Sequence, residues 1–507
     1  GNVFLGDGCR ISSSRSNHFE MYLNQPCRIM LPGLSQVATV HIESDKVNSI
    51  QIDGSCDFQI HAENCRFERI FANKLGWSFV NRFEKKVEYN IFENCEIWAE
   101  DYPLSSPENS NFLSLSCSVL IDDDKPLQNP NAITTTSKSL NWLIIKDSVI
   151  TNTGINGTVK VDNCTFLFGK NCNNNYETIH CGSHSRIINC LFDGRCSLGN
   201  KVSNLNADII DLFNGHDIVI DGCTFTNFIG IEKLCCNMIT VKSHYSVNPT
   251  NKDNPANSNQ LGGPQNGVTI RNCHFDLPEF VGYVIEVWNG VVDSPNEDRT
   301  LNRQFTNIEN NYMNCPKSVS FVHCYCYTDY LSVRLNVGSC RVLVFIPDGI
   351  PGEHGNADGN TVHNLVIYGN ILRSYNSDYG YTILYGSHID NLDMSSNVSD
   401  RYLWANIGQD NVNKLSGTIR ILNNETTEVR GLIQPTKGTT SAIKIPSNIN
   451  VFFSGNISRG KKTDVGTFDV ANDKSDSILF TGRQFFCTES PHQNKFLIYN
   501  GQGWQDI

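Results

Sequence analysis

IVIDGCTF at 218–225 and VTIRNCHF at 268–275 share one pattern. Alternating apolar residues lead to Gly or Asn, then Cys, then an apolar residue two places on. The same slot recurs along the 507-residue chain at Cys65, Cys95, Cys164, Cys190, Cys223, Cys273, Asn311, Cys340, Asn370, Asn397 and Asn424, with Asn456 as a twelfth copy. Successive steps are 30, 69, 26, 33, 50, 38, 29, 30, 27, 27 and 32 residues, so the steps of 69 and 50 read as doubled or inserted. A repeat of this length, built from short strands without helical periodicity, identifies a solenoid. Matching positions in successive repeats then stack, and sequence register becomes a map of surface columns.

A further strand precedes the slot in many repeats: ETIHCG at 177–182, DIIDLFNG at 208–215, NMITVK at 237–242, YVIEVWNG at 283–290 and KSVSFV at 317–322. Each rung thus holds at least two strands, with a third expected. Strands this short cannot bury a face alone. They must stack, which predicts an all-β, right-handed single-stranded parallel β-helix. Its expected extent is 41–462, with N-terminal cap strands over 1–40. A small C-terminal β cap or assembly module is expected over 463–507, where Asn500-Gly501 signals a hairpin. The chain opens directly in strand-like sequence, as expected of a fragment of something longer. Insertions at 243–267 and 290–303 follow the same strand and are expected to overhang one flank.

The 20 cysteines are expected to be mostly free, because a column of parallel side chains suits stacking better than bridging. That points to folding in a reducing bacterial cytoplasm. Cys324-Tyr325-Cys326 and Cys235-Cys236 lack a second pair at zinc spacing, so neither metal nor cofactor is expected. A net charge of -12 and a pI near 5.5 argue against a nucleic-acid partner. The sequence contains no run of eighteen apolar residues, which argues against membrane insertion.

Alternation in the strand before the slot sends Ile179 and Cys181, Ile210 and Leu212, Ile239 and Val241, Ile285 and Val287, and Val319 and Phe321 inward. The opposite side is expected to face out. There His180, Asp211, Thr240 and Glu286 share one position on four rungs. Asp211 and Glu286, two rungs apart, are expected at roughly 9–10 Å, near the upper end of the carboxyl separation of inverting glycoside hydrolases. They are the candidate catalytic acid and base. His180, Phe213, Thr240, Lys242 and Trp288 are the candidate substrate contacts, with aromatic planes for sugar stacking and Lys242 for an acidic sugar. Glu177 and Asp208 form a second acidic pair earlier in the strand and join the substrate-binding set.

The rung motif, carried by 218–225 and 268–275, resembles the pectate-lyase-like superfamily of right-handed β-helices over about 40–460. The resemblance implies the fold but no single reaction, since lyases, hydrolases, epimerases and adhesins share it. The acidic pair Asp208 and Asp211 looks like the calcium-binding strand of pectate lyases. Its carboxylates are three apart rather than four, Ala207 stands where the first belongs, and a matching arginine is missing. Calcium-dependent lysis is therefore not expected. GRQFFCT at 482–488 with IYNGQGW at 498–504 resembles a C-terminal module of tail fibre and tailspike proteins from phages of gut Bacteroides-type bacteria. Together these resemblances imply a homotrimeric surface protein, virion-borne or extracellular, that binds and often cuts bacterial surface polysaccharide. A binding-only tail fibre, a polysaccharide lyase and a secreted bacterial carbohydrate enzyme are the competing expectations.

Overall fold

The computed structural model describes the backbone of residues 3–5, 10–12, 20–23, 28–30, 38–53, 55–56, 58–69, 78–79, 89–94, 96–99, 113–116, 142–151, 153–157, 159–168, 173–174, 178–181, 185–196, 204–205, 208–213, 217–229, 237–242, 267–289, 305–326, 328–347, 362–373, 382–386, 388–400, 402–407, 415–426, 433–435, 443–444, 448–458, 478–479, 484–487, 495–499 and 504–506. Side chains are described for most of those between 144 and 456. Contacts divide the chain into two units, Gly1–Leu261 and Gly262–Ile507. Among the described residues there is no helix.

Each unit is a parallel β-helix with three strands per rung. In the first unit, Val159–Asp162 precedes the Asn163-Cys164 corner and Thr165–Phe168 follows it. The third strand is Ile179–Cys181. Each pairs in parallel with its counterpart one repeat on, so Val161 meets Ile187, Phe166 meets Phe192 and Ile179 meets Ile210. The inward side chains form columns. Phe166, Phe192 and Phe225 stack at 4.7 and 4.8 Å with rings 7° from parallel, all buried. The second unit repeats the scheme from Val268–Arg271 to Ile457–Ser458. Its inward first-strand column runs Ile270, Ile308, Val333, Ile367, Met394, Ile421 and Phe453. The tail ends in an antiparallel sheet in which Lys495–Tyr499 pairs with Gln484–Cys487 and with Trp504–Asp506. The Asn500-Gly501 turn expected between the last two of these strands lies outside the described residues.

The corner explains the repeat. The residue just before the slot takes a left-handed backbone: Asn163, Asn189 and Gly222 in the first unit, and Asn272, Asn310, Gly369, Asn423 and Gly455 in the second. Asn and Gly tolerate that conformation, which is why they recur there. The slot residue then points inward and has the corner's polar groups to satisfy. In the first unit it is a thiol that donates to the end of the preceding strand, Cys164 to Asp162 O at 3.3 Å and Cys190 to Ile188 O at 3.2 Å. In the second unit it is a thiol once more at Cys273, which donates to Arg271 O at 3.2 Å, and thereafter an amide. Asn336, Asn370, Asn397 and Asn424 each accept the backbone N–H and the side-chain Nδ2 of the preceding rung's Asn at 2.9–3.0 Å. Each also sends its own second amide proton to a first-strand carbonyl at 2.8–3.0 Å. All four hydrogen-bonding valences of each buried amide are used.

This ladder corrects one step of the repeat. Between Asn311 and Asn370 the slot is Asn336, not Cys340, because the amide chain passes through Asn336. The residue before it, Leu335, holds φ 56° without being Asn or Gly, while Ser339-Cys340 imitates the usual pair. The step of 69 is a doubled one. Asp147 is left-handed, Ser148 is the buried slot residue, and Val149 pairs in register with both Glu96 and Thr165. Of the slot cysteines, Cys65 and Cys95 lie outside the residues with described side chains. Cys164, Cys181, Cys190, Cys223, Cys273, Cys315, Cys324 and Cys340 are all free and buried.

A bulge interrupts the second strand of the first unit between Asp193 and Cys196, where two residues are inserted opposite Leu167 and Phe168. Asp193 holds it. Its buried carboxylate accepts Arg195 N at 3.0 Å, Arg195 Nε at 2.9 Å and Asn227 Nδ2 at 2.8 Å. Burial, the largest influence, pushes its carboxyl up. The Arg195 and Asn227 donors together outweigh it, and the group sits below its ordinary 3.8.

Two outcomes follow for stability. Asn370→Ala strands buried donors on Asn336 and an acceptor on Asn397, and each stranded group costs about 1–3 kcal/mol. It is expected to lower the calorimetric unfolding midpoint far more than Cys190→Ala, whose slot makes only a weak thiol bond. Equal losses would contradict the ladder. Because the Asp193 carboxyl is depressed in the fold, its stabilisation is present above the unfolded value and is lost as pH falls through the folded one. The stability advantage of the wild type over Asp193→Asn, measured by denaturant titration, should therefore shrink as pH drops from about 5 to about 2.

Candidate functional site

In the first unit, the third strands Ile179–Cys181, Ile210–Phe213 and Ile239–Lys242 pair so that His180, Asp211 and Thr240 occupy one register position. Phe213 and Lys242 share another. Three of the four members of the expected column are therefore in register, but the expected openness is absent. Asp211 is 3% exposed and Thr240 is fully buried, as are the core residues on either side of them. Alternation separates the two faces of a strand without telling whether the second face meets water. Burial first, and then Asp211, push the Cys181 thiol up to about 12 against a hydrogen bond with Ser185.

Asp208 has a structural engagement. It is buried, and its Oδ1 accepts the backbone N–H of Asn237 at 3.0 Å and the Asn237 amide at 3.2 Å. Asn237 in turn donates to Thr240 Oγ1 at 3.1 Å. Two residues of the sequence-derived substrate set, Asp208 and Thr240, are thus joined through a residue that the sequence reading passed over. Glu177 lies outside the described residues, and of His180, Phe213, Lys242 and Trp288 only the backbone is described.

In the second unit, Glu286 lies on the strand Tyr283–Asn289, which pairs with Ser320–Cys326. Its partner is His323. Ser320, which sequence alignment of the rungs put opposite Glu286, pairs with Tyr283 instead. The shift arises because 316–319 is a turn, closed by Ser318 N and Oγ on Cys315 O at 3.1 and 2.7 Å, rather than the start of the strand. Of the expected inward pair, Phe321 does reach the core, edge-on against Phe275, while Val322 and Cys324 are the register partners of Ile285 and Val287.

Glu286 Oε1 and His323 Nδ1 are 3.0 Å apart. The imidazole lies nearly flat on the Tyr283 ring, 3.8 Å between centroids and 17° from parallel, with Phe345 to the side, 5.5 Å from the imidazole and 6.3 Å from Tyr283. Tyr385 extends the aromatic series from Phe345 at 5.1 Å. His323 and Phe345 are register neighbours, as are Phe345 and Tyr385, so Glu286, His323, Phe345 and Tyr385 form one column over four rungs. The His323 side chain is 4% exposed and that of Glu286 is 14%. A buried imidazole stacked on the Tyr283 ring thus meets one carboxylate oxygen, and the carboxyl group stands at the boundary with solvent. Such a group can carry a proton to a substrate oxygen or take one from water. FVHC at 321–324 keeps strand alternation once the turn before it is recognised, and that is the signal by which His323 could have been found.

Among the described residues, no cluster of three or more His, Cys, Asp or Glu side chains is placed to hold a metal ion. No described helix is long and apolar enough to cross a membrane.

Truncating Asp208 to Ala should destabilise the fold by about 1–3 kcal/mol, because two buried Asn237 donors lose their acceptor. Asp208→Asn, which keeps an acceptor oxygen, should cost less. Chemical denaturation of both variants checks the order, and an Asn variant as damaged as the Ala variant would contradict this pairing.

No protein-family model matches the chain, and no curated protein matches it. Among solved structures it is similar to a tailspike protein mutant of E. coli bacteriophage HK620 in complex with a pentasaccharide. That match has 10% identity, 95% of this chain and 72% of that chain covered, and a TM-score of 0.34. A double mutant of the same tailspike matches at 11% identity, with 90% and 74% covered and a TM-score of 0.37. The A-module of a mannuronan C-5 epimerase from Azotobacter vinelandii matches at 8%, with 89% and 91% covered and a TM-score of 0.32. The fold assignment rests on the strand registers described above.

Proposed function

We propose that the chain is a tailspike-like surface protein that binds a bacterial polysaccharide and hydrolyses it, with Glu286 as the proton-transferring carboxyl group. The observation that carries this reading is the Glu286–His323 pair, a partly accessible carboxyl held by a buried imidazole within an aromatic column. Aromatic faces suit the apolar faces of sugar rings, and a positioned carboxyl suits protonation of a glycosidic oxygen. Asp211 is a separate candidate in the first unit, nominated by the sequence register and scored by its own variant. A homotrimeric assembly on a virion tail or another extracellular surface completes the reading. It is supported by the sequence resemblance of the C-terminal module, which folds as its own antiparallel sheet.

A second reading is favoured by the burial of His323 and Asp211. In it the two groups are internal packing, and the chain grips glycan without cutting it. A lyase or a secreted bacterial carbohydrate enzyme would show itself in the same assay.

The test incubates the full chain with capsular polysaccharides from a panel of bacterial strains and follows new reducing ends together with unsaturated-uronate absorbance. Reducing ends without absorbance are expected, and Glu286→Gln should lower the rate about a hundredfold or more while the polysaccharide is still bound. A variant of full activity removes Glu286 from the chemistry. Binding without any product establishes the second reading, and absorbance would replace hydrolysis by elimination.

A further inference from the structure

The second unit carries another column suited to sugars, on its first strands rather than its third. Phe305, Tyr330, Asn364 and Asn391 stand in register on four consecutive rungs. They alternate with the buried core residues Leu331, Leu365 and Leu392, so they lie on the outer face, and all four are half-buried. Phe305 and Tyr330 stack at 4.5 Å with rings 14° from parallel, so each covers one face of the other and the platform they offer is the stack's edges and outer faces.

The amides beside that platform differ from those of the inner corner. There every Asn–Asn bond measures 2.9–3.0 Å and the group is buried. Here Asn391 Nδ2 reaches Asn364 Oδ1 and His363 O only at 3.4 Å each, beyond the usual range of a strong amide bond. The inner ladder is held by short bonds, whereas both Asn391 donor contacts are long ones at a half-buried surface, open to exchange for a shorter partner. Next to it, His363 Nδ1 lies 2.6 Å from Asp390 Oδ2, and Ser416 Oγ donates to Asp390 Oδ1 at 2.9 Å. With Nδ1 engaged and the side chain 43% exposed, the Nε2 edge of His363 is the ring's remaining hydrogen-bonding position.

We infer that this column is a second glycan-binding subsite, distinct from the Glu286 column, that takes an uncharged stretch of a pyranose oligosaccharide running along the stacking direction. It rests on the glycan reading proposed above. The uncovered edges and outer faces of Phe305 and Tyr330 receive the apolar face of one sugar, and Asn391 and His363 bond the hydroxyl or N-acyl groups of another. Both oxygens of Asp390, the column's carboxylate, are already engaged by His363 and Ser416. The column therefore offers neither a free cation for a phosphate nor a bare carboxylate for a basic peptide.

The experiment uses the full chain and, as probe, whichever capsular polysaccharide in the strain panel it retains most tightly. Equilibrium binding is compared for wild type, Tyr330→Ala, Tyr330→Phe and His363→Ala, with unfolding midpoints recorded for each. Tyr330→Ala is expected to weaken binding about tenfold, a difference of about 1.4 kcal/mol, and His363→Ala severalfold. Tyr330→Phe, which keeps the platform, should bind as wild type does. If both alanine variants bind the probe normally, the subsite is wrong, whatever Glu286→Gln does to cleavage. If the wild type retains no polysaccharide at all, the glycan reading itself fails and takes this inference with it. Should Tyr330→Ala lose its fold, the surface substitution His363→Ala decides by itself.

Discussion

A rung that turns sharply inward buries polar backbone and side-chain groups at its corner, and those groups need partners from the same corner one rung away. Everything else in this molecule depends on that condition. The slot residue is inside because its predecessor is left-handed, and once inside it has neighbours only above and below. An amide meets the requirement completely. It accepts twice from one side and donates once to the other and once to a strand carbonyl, as Asn370 does between Asn336 and Asn397. A thiol meets it weakly, and the first unit accordingly relies more on apolar columns such as Phe166, Phe192 and Phe225.

The corner also governs the sites, because a fixed corner fixes the register of the strands attached to it. A slip of one residue would turn every side chain to the other face. With the register held, Glu286 falls opposite His323 and the aromatic rings follow in the same column. The same register lines up Phe305, Tyr330, Asn364 and Asn391 on the other sheet.

Much of this was legible in the chain. The Asn-Cys and Gly-Cys corners spell out the backbone geometry that turns each rung, and apolar alternation separates inside from outside at Ile210, Leu212, Ile239 and Val241. Two things were hidden. Leu335 carries the left-handed turn without the usual residue type, so Asn336 was passed over for Cys340. The turn at 316–319 reads like strand, so Glu286 was matched with Ser320 rather than His323. Both errors arise where local sequence imitates an element that tertiary hydrogen bonding overrules. Burial was the other limit. Asp211 sits where alternation places it, yet it is covered, and coverage of a sheet face depends on segments far away in sequence.

The central claim is that corner register delivers His323 to Glu286. A double-mutant cycle on unfolding free energy, with Glu286→Gln, His323→Gln and the pair, tests it most directly. Residues in contact couple by about 0.5–3 kcal/mol, whereas independent sites add to within about 0.3–0.5 kcal/mol. Coupling of at least about 1 kcal/mol is the predicted result. Strict additivity would mean that the two side chains do not meet, and would contradict the register from which the site was built.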